Sequence, residues 1–456
     1  MAEIIVTNRK TAILGMGATG LSVAAFFDAQ DIAFDFADSR NEPPNLEAVS
    51  KQYSKAEIVT GEFDAEFICR YNRLIVSPGI SLNEPALVAA KEKGVELLGD
   101  LELFLEQAKA PVVLISGSNG KSTVTELVAQ MAKDSGLITA VGGNLGTPML
   151  ELLDQRNELY VIEVSSFQLE LLNDNRGAIA GLLNISPDHL DRYNNLQDYH
   201  TAKHRIFRGA SKVVVNREDV LTRPLISTQI PMISFGLNQS DLGSFGILQG
   251  LEQGYLSYGI ERLMRIDQIA LKGSHNIANA LAALSLGYCV DLPMQSMLDT
   301  LKVFKGLPHR CQTVRAIDSV AYINDSKATN VGATVAALKG FGAKDHKNII
   351  LIAGGQAKGQ DFSALQKAAK KVVKRVILIG EDADQLRLAL NDCVEIEMVD
   401  SMQSALFSCH QAAESGDIVL LSPACASFDM FDGFEHRGHC FIEAVDAMAS
   451  AQGSVQ

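Results

Sequence analysis

The chain has 456 residues, of which 47% are hydrophobic and 21% are charged, and its formal net charge is −14. This length and composition predict a globular protein of about three domains. The acidic net charge disfavours a protein that coats nucleic acid, since such a protein needs a basic face. The seven cysteines form no CxxC pair and no apolar stretch is long enough to span a bilayer, so we expect a reduced, cytoplasmic protein without disulfides or zinc.

The first of three blocks begins with a nucleotide-binding pattern. The stretch TAILGMGATGLSVAAFF predicts a short buried strand, a loop with Gly15, Gly17 and Gly20, and then a helix. Asp38 follows Gly20 by 18 residues, which is the spacing of a Rossmann-like unit whose glycines let the backbone approach a diphosphate. Another strand, RLIV, ends in the tight turn 77–79. A purely structural turn is the alternative, but the order of strand, helix and acid favours a nucleotide site.

The second block contains a lysine loop between a strand and a helix. PVVLIS predicts a buried strand, STVTELVAQMAKDSG predicts an amphipathic helix, and GSNGK joins them. The general phosphate-loop pattern G-x-x-x-x-G-K-S/T puts its first glycine six residues before the lysine, where this chain has Ile115. Gly117 and Gly120 still leave backbone N–H groups open to phosphate oxygens, and Lys121 would bridge the outer phosphates. A lysine-containing helix cap is the alternative, which the flanking elements disfavour.

Two acidic strand ends are expected beside this loop. LYVIEVSS places Glu163 at the end of a buried strand, and GAIAGLLNIS is a strand followed by Asp188 and His189. The carboxyl ends of parallel strands share one sheet edge, so these side chains should converge on the loop. A metal ion or a salt bridge would each make a buried Glu163 carboxylate acceptable, and the residues alone leave both open. His189 is an unusual ligand for Mg²⁺, and Lys203 read alone is an ordinary helical lysine.

The remaining segments complete an α/β pattern. Short β-like runs from Pro231 to Leu271 predict a small antiparallel insert, and GSHNIANALAALSLG predicts a helix. After residue 306 the strands NIILIAGG, RVILIG, VEIEMV and DIVLLSPA alternate with helical stretches. Such alternation predicts parallel strands with right-handed crossovers, and therefore a second Rossmann-like sheet.

Polar loops follow the strands of the third block, where ligand sites of such sheets lie. The candidates are Arg310 in GLPHRCQ, Asp325, Lys327, Thr329 and Asn330 in INDSKATN, Lys358 in GGQAKGQDF, and Ser427 and Phe434 in SPACASFDMFDGFEHRG. Turn chemistry or surface charge would explain each of these loops taken alone.

Six stretches in chain order carry a family resemblance. GSNGKST, EVSSFQLE, DHLDRY, HNIANALAA, GLPHR and NDSKATN together resemble the motifs of the Mur ligases, the ATP-dependent amide-forming enzymes of peptidoglycan precursor synthesis. The family's own loop pattern is G-S/T-N-G-K-S/T-S/T, and the lysine loop matches it in full although it lacks the first glycine of the general pattern. GMGATGLS, SPGI, GDLELF and LLSPACASFDMFDGFEHRG resemble the members that add D-glutamate to UDP-N-acetylmuramoyl-L-alanine. The resemblance covers essentially the whole chain.

The resemblance implies ATP as co-substrate together with two Mg²⁺ ions. The residues that it assigns to ATP are Gly117, Ser118, Asn119, Gly120, Lys121, Ser122, Thr123, Asn276, Asn279, Arg310 and Asp325. One Mg²⁺ would lie near Ser122 and Glu163, and Glu163, His189 and Lys203 would hold the second, with Lys203 carbamylated by CO₂. Lys121, His189 and Lys203 would be the catalytic residues, with His189 conjectured to take the proton of the incoming amine.

The resemblance also assigns the other substrates and the domains. UDP-N-acetylmuramoyl-L-alanine would contact Gly15, Gly17, Thr19, Gly20, Asp38, Arg40, Ser77, Pro78, Gly79 and Asn144. D-Glutamate would contact Thr329, Lys358, Ser427 and Phe434. We expect a monomer without nucleic-acid or membrane partners, divided into a UDP-substrate domain (1–99), an ATP-binding domain (100–306) and a domain for the incoming amino acid (307–456).

The sequence leaves three alternatives. A related ligase for another amino acid is disfavoured, because the D-N-P-R motif typical of diaminopimelate-adding members is absent and folate-type ligases lack such an N-terminal nucleotide unit. An NAD-dependent oxidoreductase would explain the first glycine loop and Asp38, but not the lysine loop or the third block. A non-catalytic nucleotide sensor would not need Lys121, Glu163, His189 and Lys203 to be intact.

Overall fold

The computed structural model describes residues 10–144, 146–189, 192–225, 230–250, 253–271, 273–343, 345–357 and 359–453. These residues form three successive α/β units, each built on one sheet, with five, nine and six strands in chain order. The predicted fold class is confirmed: a Rossmann-like unit, a central sheet with the lysine loop, and a second Rossmann-like unit. The domain boundaries predicted after residues 99 and 306 stay predictions.

The first sheet is parallel and carries two loops at its switch point. Its strands are β1 (Thr11–Leu14), β2 (Asp35–Asp38), β3 (Ile58–Thr60), β4 (Arg73–Val76) and β5 (Glu96–Leu98), in the order β3-β2-β1-β4-β5. Its helices are α1 (Ala18–Asp28), α2 (Leu46–Gln52), α3 (Ala65–Ile68) and α4 (Pro85–Glu92). The strand order reverses between β1 and β4, so the loops after these two strands flank a crevice at the carboxyl edge.

Two glycines of the loop after β1 have different tasks. Gly20 lies in the first turn of α1, and a Cβ at this position would sit 1.9 Å from the backbone oxygen of Gly15. Gly17 precedes α1 and faces open space, so that a Cβ there would meet nothing within 4 Å. Gly20 therefore permits the close packing of helix and strand, and Gly17 leaves room for a ligand.

The Gly20→Ala variant is expected to lose about 1 to 3 kcal/mol of unfolding free energy, because α1 or the loop must shift to admit the methyl group. Urea denaturation followed by circular dichroism measures this loss. Gly17→Ala is the matched control and should unfold within about 0.5 kcal/mol of the unmodified chain. Equal destabilisation of the two variants would contradict the division of tasks.

The central sheet has nine strands. They are β6 (Val112–Ser116), β7 (Thr139–Gly143), β8 (Leu159–Glu163), β9 (Ile179–Leu182), β10 (Lys212–Asn216), β11 (Met232–Phe235), β12 (Ser244–Gln249), β13 (Gly254–Tyr258) and β14 (Glu261–Arg265), in the order β14-β13-β12-β11-β10-β9-β6-β8-β7. The helices are α5 (Asp100–Gln107), α6 (Lys121–Asp134), α7 (Ser166–Leu169), α8 (Leu196–His204), α9 (Ser274–Cys289) and α10 (Met294–Val303). Because β6 neighbours β8 and β9, the residues that follow these three strands meet at one edge.

The antiparallel strands predicted between Pro231 and Leu271 extend this same sheet. Strands β12, β13 and β14 pair antiparallel, but β11 pairs in parallel with both β10 and β12. The antiparallel part therefore begins one strand later than the sequence pattern suggested. The long connection between β10 and β11 allows the chain to return in the parallel direction.

The third sheet is parallel except at one edge. Its strands are β15 (Gln312–Ile317), β16 (Val320–Asn324), β17 (Ile349–Gly354), β18 (Val373–Ile379), β19 (Glu395–Met398) and β20 (Ile418–Leu421), in the order β15-β16-β20-β17-β18-β19. The helices are α11 (Val331–Phe341), α12 (Ser363–Val372), α13 (Ala383–Leu390), α14 (Met402–Ala412) and α15 (Phe434–Gly453). β15 pairs antiparallel with β16 through a turn in which Asp318 and Ser319 have φ of 50° and 63°.

Among the described residues, clusters of buried apolar side chains join the first two units to each other but not to the third. One cluster contains Ile13 and Phe27 of the first unit together with Leu114 and Tyr160 of the central sheet. The two clusters that pack on the third sheet contain, within the described part of the chain, only side chains from Cys311 onward. The third unit can therefore rotate with the least loss of apolar burial. No helix among the described residues is long and apolar enough to cross a membrane.

Candidate active site

Two cavities open at the carboxyl edges of the sheets. The lysine-loop cavity, of about 540 Å³, is lined by the loop after β6, by α9 and by segments on both sides of β15 and β16. The glycine-loop cavity, of about 570 Å³, is lined by the loops after β1, β2 and β4 and by residues after β7. Asn144 lines both, and therefore marks the place where the two cavities meet.

The lysine loop is held in shape by its neighbours. Gly117 and Gly120 have φ of 157° and 85°, and a Cβ on Gly120 would approach the Asn279 side-chain oxygen of α9 to 2.5 Å. The backbone N–H of Asn119 donates to Oδ1 of Asn184 at 2.8 Å, and the Asn184 amide returns a hydrogen bond to the Asn119 carbonyl at 2.9 Å. These contacts need glycine at position 120 and keep the short loop in a fixed conformation.

The ammonium group of Lys121 folds back over the loop. Its Nζ donates to the carbonyl oxygens of Gly117 at 2.9 Å and Ser118 at 3.1 Å. Burial lowers the pKa of Lys121, while the charges of Glu163 and Asp188 act in the opposite direction. The ammonium group of Lys121 therefore lies against a loop whose backbone faces the cavity. This is the geometry of an anion-binding site.

Glu163 is the centre of a buried polar cluster. It is 3% exposed at the end of β8, and its carboxylate accepts from the Ser122 hydroxyl at 2.5 Å and from the Asn144 amide at 2.9 Å. Arg310 reaches across from the third unit and donates to the Ser122 hydroxyl at 2.6 Å. Burial acts to raise the pKa of Glu163, but the charge of Lys121 and the hydrogen bonds outweigh it and leave the pKa below its usual value. The residue is therefore a buried carboxylate rather than a carboxylic acid.

Lys203 is buried against the same loop. Its Nζ donates to the Gly117 carbonyl at 3.0 Å and to the Ser116 hydroxyl at 3.3 Å, and lies 4.7 Å from the centre of the Tyr199 ring. Burial and then the charge of Lys121 hold its pKa well below the usual value. Its local pattern is that of an ordinary helical lysine, and only the family resemblance distinguished it. The structure makes it an amine that loses its proton easily.

His189 lies at the rim of this cluster. Its φ is 54°, its side chain is 43% exposed, and its ring packs edge-on against Phe167 with centroids 4.8 Å apart. The adjacent Asp188 accepts from the Asn330 side-chain amide of the third unit at 3.2 Å. His189 is thus placed at the contact between the central and third units.

The side chains of the buried polar cluster differ in how well they suit Mg²⁺. Within the described ranges, no group of three or more His, Cys, Asp or Glu side chains is arranged to hold a metal ion. The hydroxyl of Ser122 and the carboxylate of Glu163 are oxygen donors in mutual contact, so they fit one Mg²⁺. A second ion beside Glu163 and His189 fits only if Lys203 carries an added carboxylate, since an amine or ammonium group is a poor partner for Mg²⁺.

The far wall of the lysine-loop cavity holds the other residues assigned to ATP. Asn279 donates to the Asn276 side-chain oxygen at 3.2 Å on one face of α9. Asp325 accepts from the Cys311 N–H at 3.1 Å and from the Ser422 hydroxyl at 2.8 Å, and burial raises its pKa to about 6. The structure thus brings these residues into one cavity with Lys121 and Arg310.

The residues assigned to D-glutamate are only partly brought together. Thr329 lines the lysine-loop cavity, whereas Ser427 and Phe434 lie outside its lining. The Phe434 ring is nevertheless connected to the cavity, because the Nζ atom of Lys327, which lines it, lies 3.5 Å from the ring centre. Lys358 lies outside the described residues.

The glycine-loop cavity contains most of the residues assigned to the UDP substrate. Those that line it are Gly15, Gly17, Thr19, Asp38, Arg40, Ser77, Pro78, Gly79 and Asn144. Gly20 does not line it and serves the packing of α1 instead. Asp38 accepts from the Met16 N–H at 2.8 Å and from the Arg40 guanidinium at 2.8 and 2.7 Å. Asp38 therefore positions Arg40, whose side chain is half exposed and available to a ligand.

Sequence reasoning missed Arg192, which ties the central unit to the first. Its guanidinium donates to the carbonyl oxygens of Gly79 at 3.2 Å and Ile80 at 2.9 Å, and pairs with Glu170 at 2.8 Å. It also lies 4.8 Å from the centre of the Phe167 ring. The motif DHLDRY contains this arginine and was the available signal, but its partners in the first unit, Gly79 and Ile80, are more than a hundred residues away in sequence.

Arg437 was also missed. It is 1% exposed in α15 and donates to the backbone oxygens of Ser326 at 2.8 Å and of Cys425 and Ala426 at 3.2 and 3.3 Å. Burial lowers the pKa of this guanidinium to about 10. The side chain fixes the loops after β16 and β20, and with them Thr329 and Ser427.

Asp100 is a buried acid of the glycine-loop cavity that sequence reasoning left without a role. It begins α5, is 5% exposed, and accepts from Gln168 Nε2 at 3.3 Å and the Leu101 N–H at 3.0 Å. Burial raises its pKa to about 6. The folded chain therefore binds this proton more tightly than the unfolded chain, and ionisation between pH 4 and 6 destabilises the fold.

The Asp100→Asn variant is expected to be about 2 to 3 kcal/mol more stable than the unmodified chain at pH 8, where Asp100 is ionised in both states. At pH 4 the folded chain already holds a neutral side chain here, so the advantage should vanish. Urea denaturation at the two pH values measures the difference. Equal stabilisation at both pH values would contradict a buried ionisation.

The site combines a lysine loop beside a buried carboxylate, a second nucleotide-type crevice, and a third unit whose residues line the lysine-loop cavity. These are the features of a nucleotide-dependent ligase, and the chain belongs to the Mur ligase family. Three family models match it in order: "Mur ligase MurD-like, N-terminal domain" over residues 9–99, "Mur ligase middle domain" over 115–287, and "Mur ligase, glutamate ligase domain" over 309–425. The family resemblance read from the motifs is thereby confirmed.

The chain is also similar to individual ligases in sequence and in fold. UDP-N-acetylmuramoylalanine–D-glutamate ligase of Pseudomonas fluorescens is 50% identical over 447 residues, which are 98% of this chain and 100% of the relative. Among solved structures, a pseudomurein peptide ligase type C from Methanothermus fervidus has a TM-score of 0.59 at 17% identity, covering 97% of this chain and 100% of that one. A Mycobacterium tuberculosis folylpolyglutamate synthase complexed with ADP has a TM-score of 0.57 at 15% identity, covering 76% and 93%. The two structures establish the fold alone.

Proposed function

We propose that this chain joins D-glutamate to UDP-N-acetylmuramoyl-L-alanine, with ATP converted to ADP and phosphate, in the cytoplasmic synthesis of peptidoglycan precursors. The observation that carries the proposal is the 50% identity, over 98% of the chain, with a relative named for this reaction. The two cavities, which meet at Asn144, give the reaction the two nucleotide sites that it needs.

ATP is assigned to the lysine-loop cavity. The open backbone between Gly117 and Ser122 and the ammonium of Lys121 would hold its phosphates. Asn276 and Asn279 on α9 would face the nucleoside, since they line the cavity beyond the loop. Arg310 and Asp325 come from the third unit, so ATP would bridge two units and favour their closure.

The UDP substrate is assigned to the glycine-loop cavity. Gly17 leaves space for the diphosphate at the start of α1, and Arg40 supplies a cation beside it. Asn144 lies where the cavities join, with its amide on Glu163. The far end of the substrate, which carries the L-alanine carboxylate, would therefore reach the γ-phosphate of ATP at this junction.

The chemistry explains why cations gather there. A carboxylate is a poor acyl donor, so its oxygen first attacks the γ-phosphorus and ADP leaves. The acyl phosphate is then attacked by the amine of D-glutamate, and the tetrahedral intermediate expels phosphate to leave an amide. Lys121 and Arg310 offset the negative charge of the transferring phosphoryl group, and the third unit excludes water from the acyl phosphate.

Mg²⁺ is assigned to the buried polar cluster. Ser122 and Glu163 would hold one ion, and Glu163, His189 and a carbamylated Lys203 a second, where bound Mg²⁺ would neutralise phosphate charge. Lys203 is suited to carbamylation, because CO₂ reacts with a neutral amine and the low pKa of Lys203 provides one. A nitrogen–carbon bond forms, the amine nitrogen loses one of its two protons to solvent, and the product carries a carboxylate.

The third unit is assigned to the incoming amino acid. Thr329, Lys358, Ser427 and Phe434 remain the proposed contacts, and the buried charge of Arg437 favours an anion nearby. The chain is proposed to act as a monomer.

ADP release with UDP-N-acetylmuramoyl-L-alanine, ATP and Mg²⁺ tests the function. D-Glutamate should stimulate it, whereas L-glutamate, L-alanine and meso-diaminopimelate should leave it near the background. Lys121→Ala serves as the inactive control, and Lys133→Ala, on the exposed face of the same helix α6, as the active one. Stimulation by another amino acid and not by D-glutamate would overturn the proposed specificity.

A further inference from the structure

Lys327 is a partly buried lysine in the wall of the lysine-loop cavity. It lines this cavity with Thr329 and Arg310, and its Nζ lies 3.5 Å from the centre of the Phe434 ring. Among the described residues, no carboxylate oxygen lies within 4.0 Å of that nitrogen. A lysine held over an aromatic ring and left without a carboxylate is unusual for a group that serves only structure.

The surroundings of Lys327 favour its neutral form. Burial is the main cause that lowers its pKa, to about 8, and the charge of Arg310 adds to it. The titratable and charged groups that face it come from several elements: Lys121 of α6, Glu163 of β8, His309 and Arg310 before β15, and Glu435 of α15. The two carboxylates oppose the shift only partly. Near neutral pH, Lys327 is therefore able both to accept and to release a proton.

The proposed reaction needs a group that accepts a proton near neutral pH. D-Glutamate reaches the site with its nitrogen protonated, and a protonated nitrogen has no lone pair with which to attack. An effective proton acceptor has a pKa near the working pH and lies within reach of the nitrogen. His189 is less suited, because in the proposed metal site its ring nitrogen is engaged as a ligand, and its ring packs at the rim against Phe167.

Resting on the ligase function above, we propose that Lys327 is the base that takes the proton from the incoming ammonium group of D-glutamate. One N–H bond of the ammonium group breaks, its electron pair stays on the nitrogen, and the proton moves to Nζ of Lys327. The nitrogen then bonds to the carbonyl carbon of the acyl phosphate. When the intermediate collapses, the carbon–oxygen bond to phosphate breaks, and the leaving phosphate takes the second proton of the nitrogen, which leaves the amide. The Lys327 ammonium group returns its proton to solvent through the open cavity.

The test compares two nucleophiles that attack the same acyl phosphate. D-Glutamate must lose a proton, whereas hydroxylamine is unprotonated at neutral pH and needs no base. Lys327→Met keeps an apolar stem over Phe434 and removes the base. Its D-glutamate-dependent ADP release should fall at least about 100-fold. Its hydroxylamine-dependent ADP release should stay within about threefold of the unmodified enzyme, which also shows that the variant is folded.

Two further variants sharpen the comparison. Lys327→Arg keeps the positive charge but cannot serve as a base, so it should fail with D-glutamate as Lys327→Met does. Lys339→Met, on the exposed face of α11 in the same unit, should behave as the unmodified enzyme. The dependence of kcat/KM for D-glutamate on pH should show a rise near pH 8 that is lost in Lys327→Met.

Three results would overturn the assignment. One is D-glutamate turnover within tenfold of normal in Lys327→Met. The second is an equal loss with both nucleophiles, which would place Lys327 in the activation of the carboxylate. The third is full activity of Lys327→Arg. Absence of D-glutamate-stimulated ADP release in the unmodified enzyme would instead remove the proposed function itself.

Discussion

The Lys203→Ala enzyme is expected to turn over at about a thousandth of the normal rate or less, although it should fold and bind the UDP substrate. Lys203 is fully buried against the Gly117 carbonyl and the Tyr199 ring, where its pKa is held far below normal. As a carbamate it would supply the carboxylate that a second Mg²⁺ needs beside Glu163. Its removal would leave the transferring phosphoryl group with one ion fewer. Steady-state ADP release at saturating substrates measures the loss.

The chemistry of the lost group can be tested by replacement. Acetate or formate should restore part of the activity of Lys203→Ala, because a small carboxylate can occupy the vacated volume. Thr201→Ala, on the exposed face of the same helix α8, is the matched control and should keep normal activity. A ¹³C signal for a lysine carbamate after exposure to labelled bicarbonate should be present in the unmodified enzyme and absent from Lys203→Ala. Normal turnover of Lys203→Ala would remove this lysine from the metal site.

The Glu163→Gln enzyme is expected to lose about 100-fold to 1000-fold in kcat with little change in fold. The substitution keeps an oxygen that can accept from Ser122, but removes the negative charge that balances Lys121, Lys203 and Arg310. A neutral amide is also a weaker ligand for Mg²⁺ than a carboxylate. The Mg²⁺ concentration for half-maximal activity should therefore rise in the variant. Turnover measured over a Mg²⁺ titration gives both quantities.

A surface acid provides the control for this charge change. Glu151 is exposed in the connection before β8, and Glu151→Gln should match the unmodified enzyme in rate and in Mg²⁺ dependence. If Glu163→Gln kept kcat within tenfold and the same Mg²⁺ dependence, Glu163 would be an acid that serves only the packing of the strand end.

The sequence predicted the parts of the site that lie at the carboxyl ends of neighbouring parallel strands. Lys121 and Glu163 follow neighbouring parallel strands, so their meeting at one edge required only the alternation of strands and helices. The structure places the Glu163 carboxylate on Ser122, the first hydroxyl of the helix after the loop. The residues of the HNIAN helix were expected at the same site, and Asn279 packs against Gly120.

Residues whose roles depend on distant partners could not be read from local pattern. Lys203 lies on an ordinary helix, and only the fold shows that its amine is buried against Gly117. Asp38 has the spacing of a ligand-binding acid, yet both of its oxygens are engaged by Met16 and Arg40. Burial and long-range contacts, rather than spacing, decide the roles of such groups.

The hairpin between β15 and β16 of the third unit could have been predicted from the residues of its turn. Asp318 and Ser319 join β15 to β16 with positive φ, and Asp is among the residues that tolerate this conformation. The two residues between apolar runs were therefore a usable hairpin signal. Arg192 and Arg437 had no such signal, because each acts by holding loops from other parts of the chain.

The mass of the UDP-linked product tests the proposed ligation most directly. Incubation with UDP-N-acetylmuramoyl-L-alanine, ATP, Mg²⁺ and D-glutamate should yield a product heavier by one glutamate minus one water, with ADP and phosphate formed in equal amounts to it. A product that gains a different amino acid, or ADP and phosphate released without any gain in mass, would contradict the function proposed for this chain.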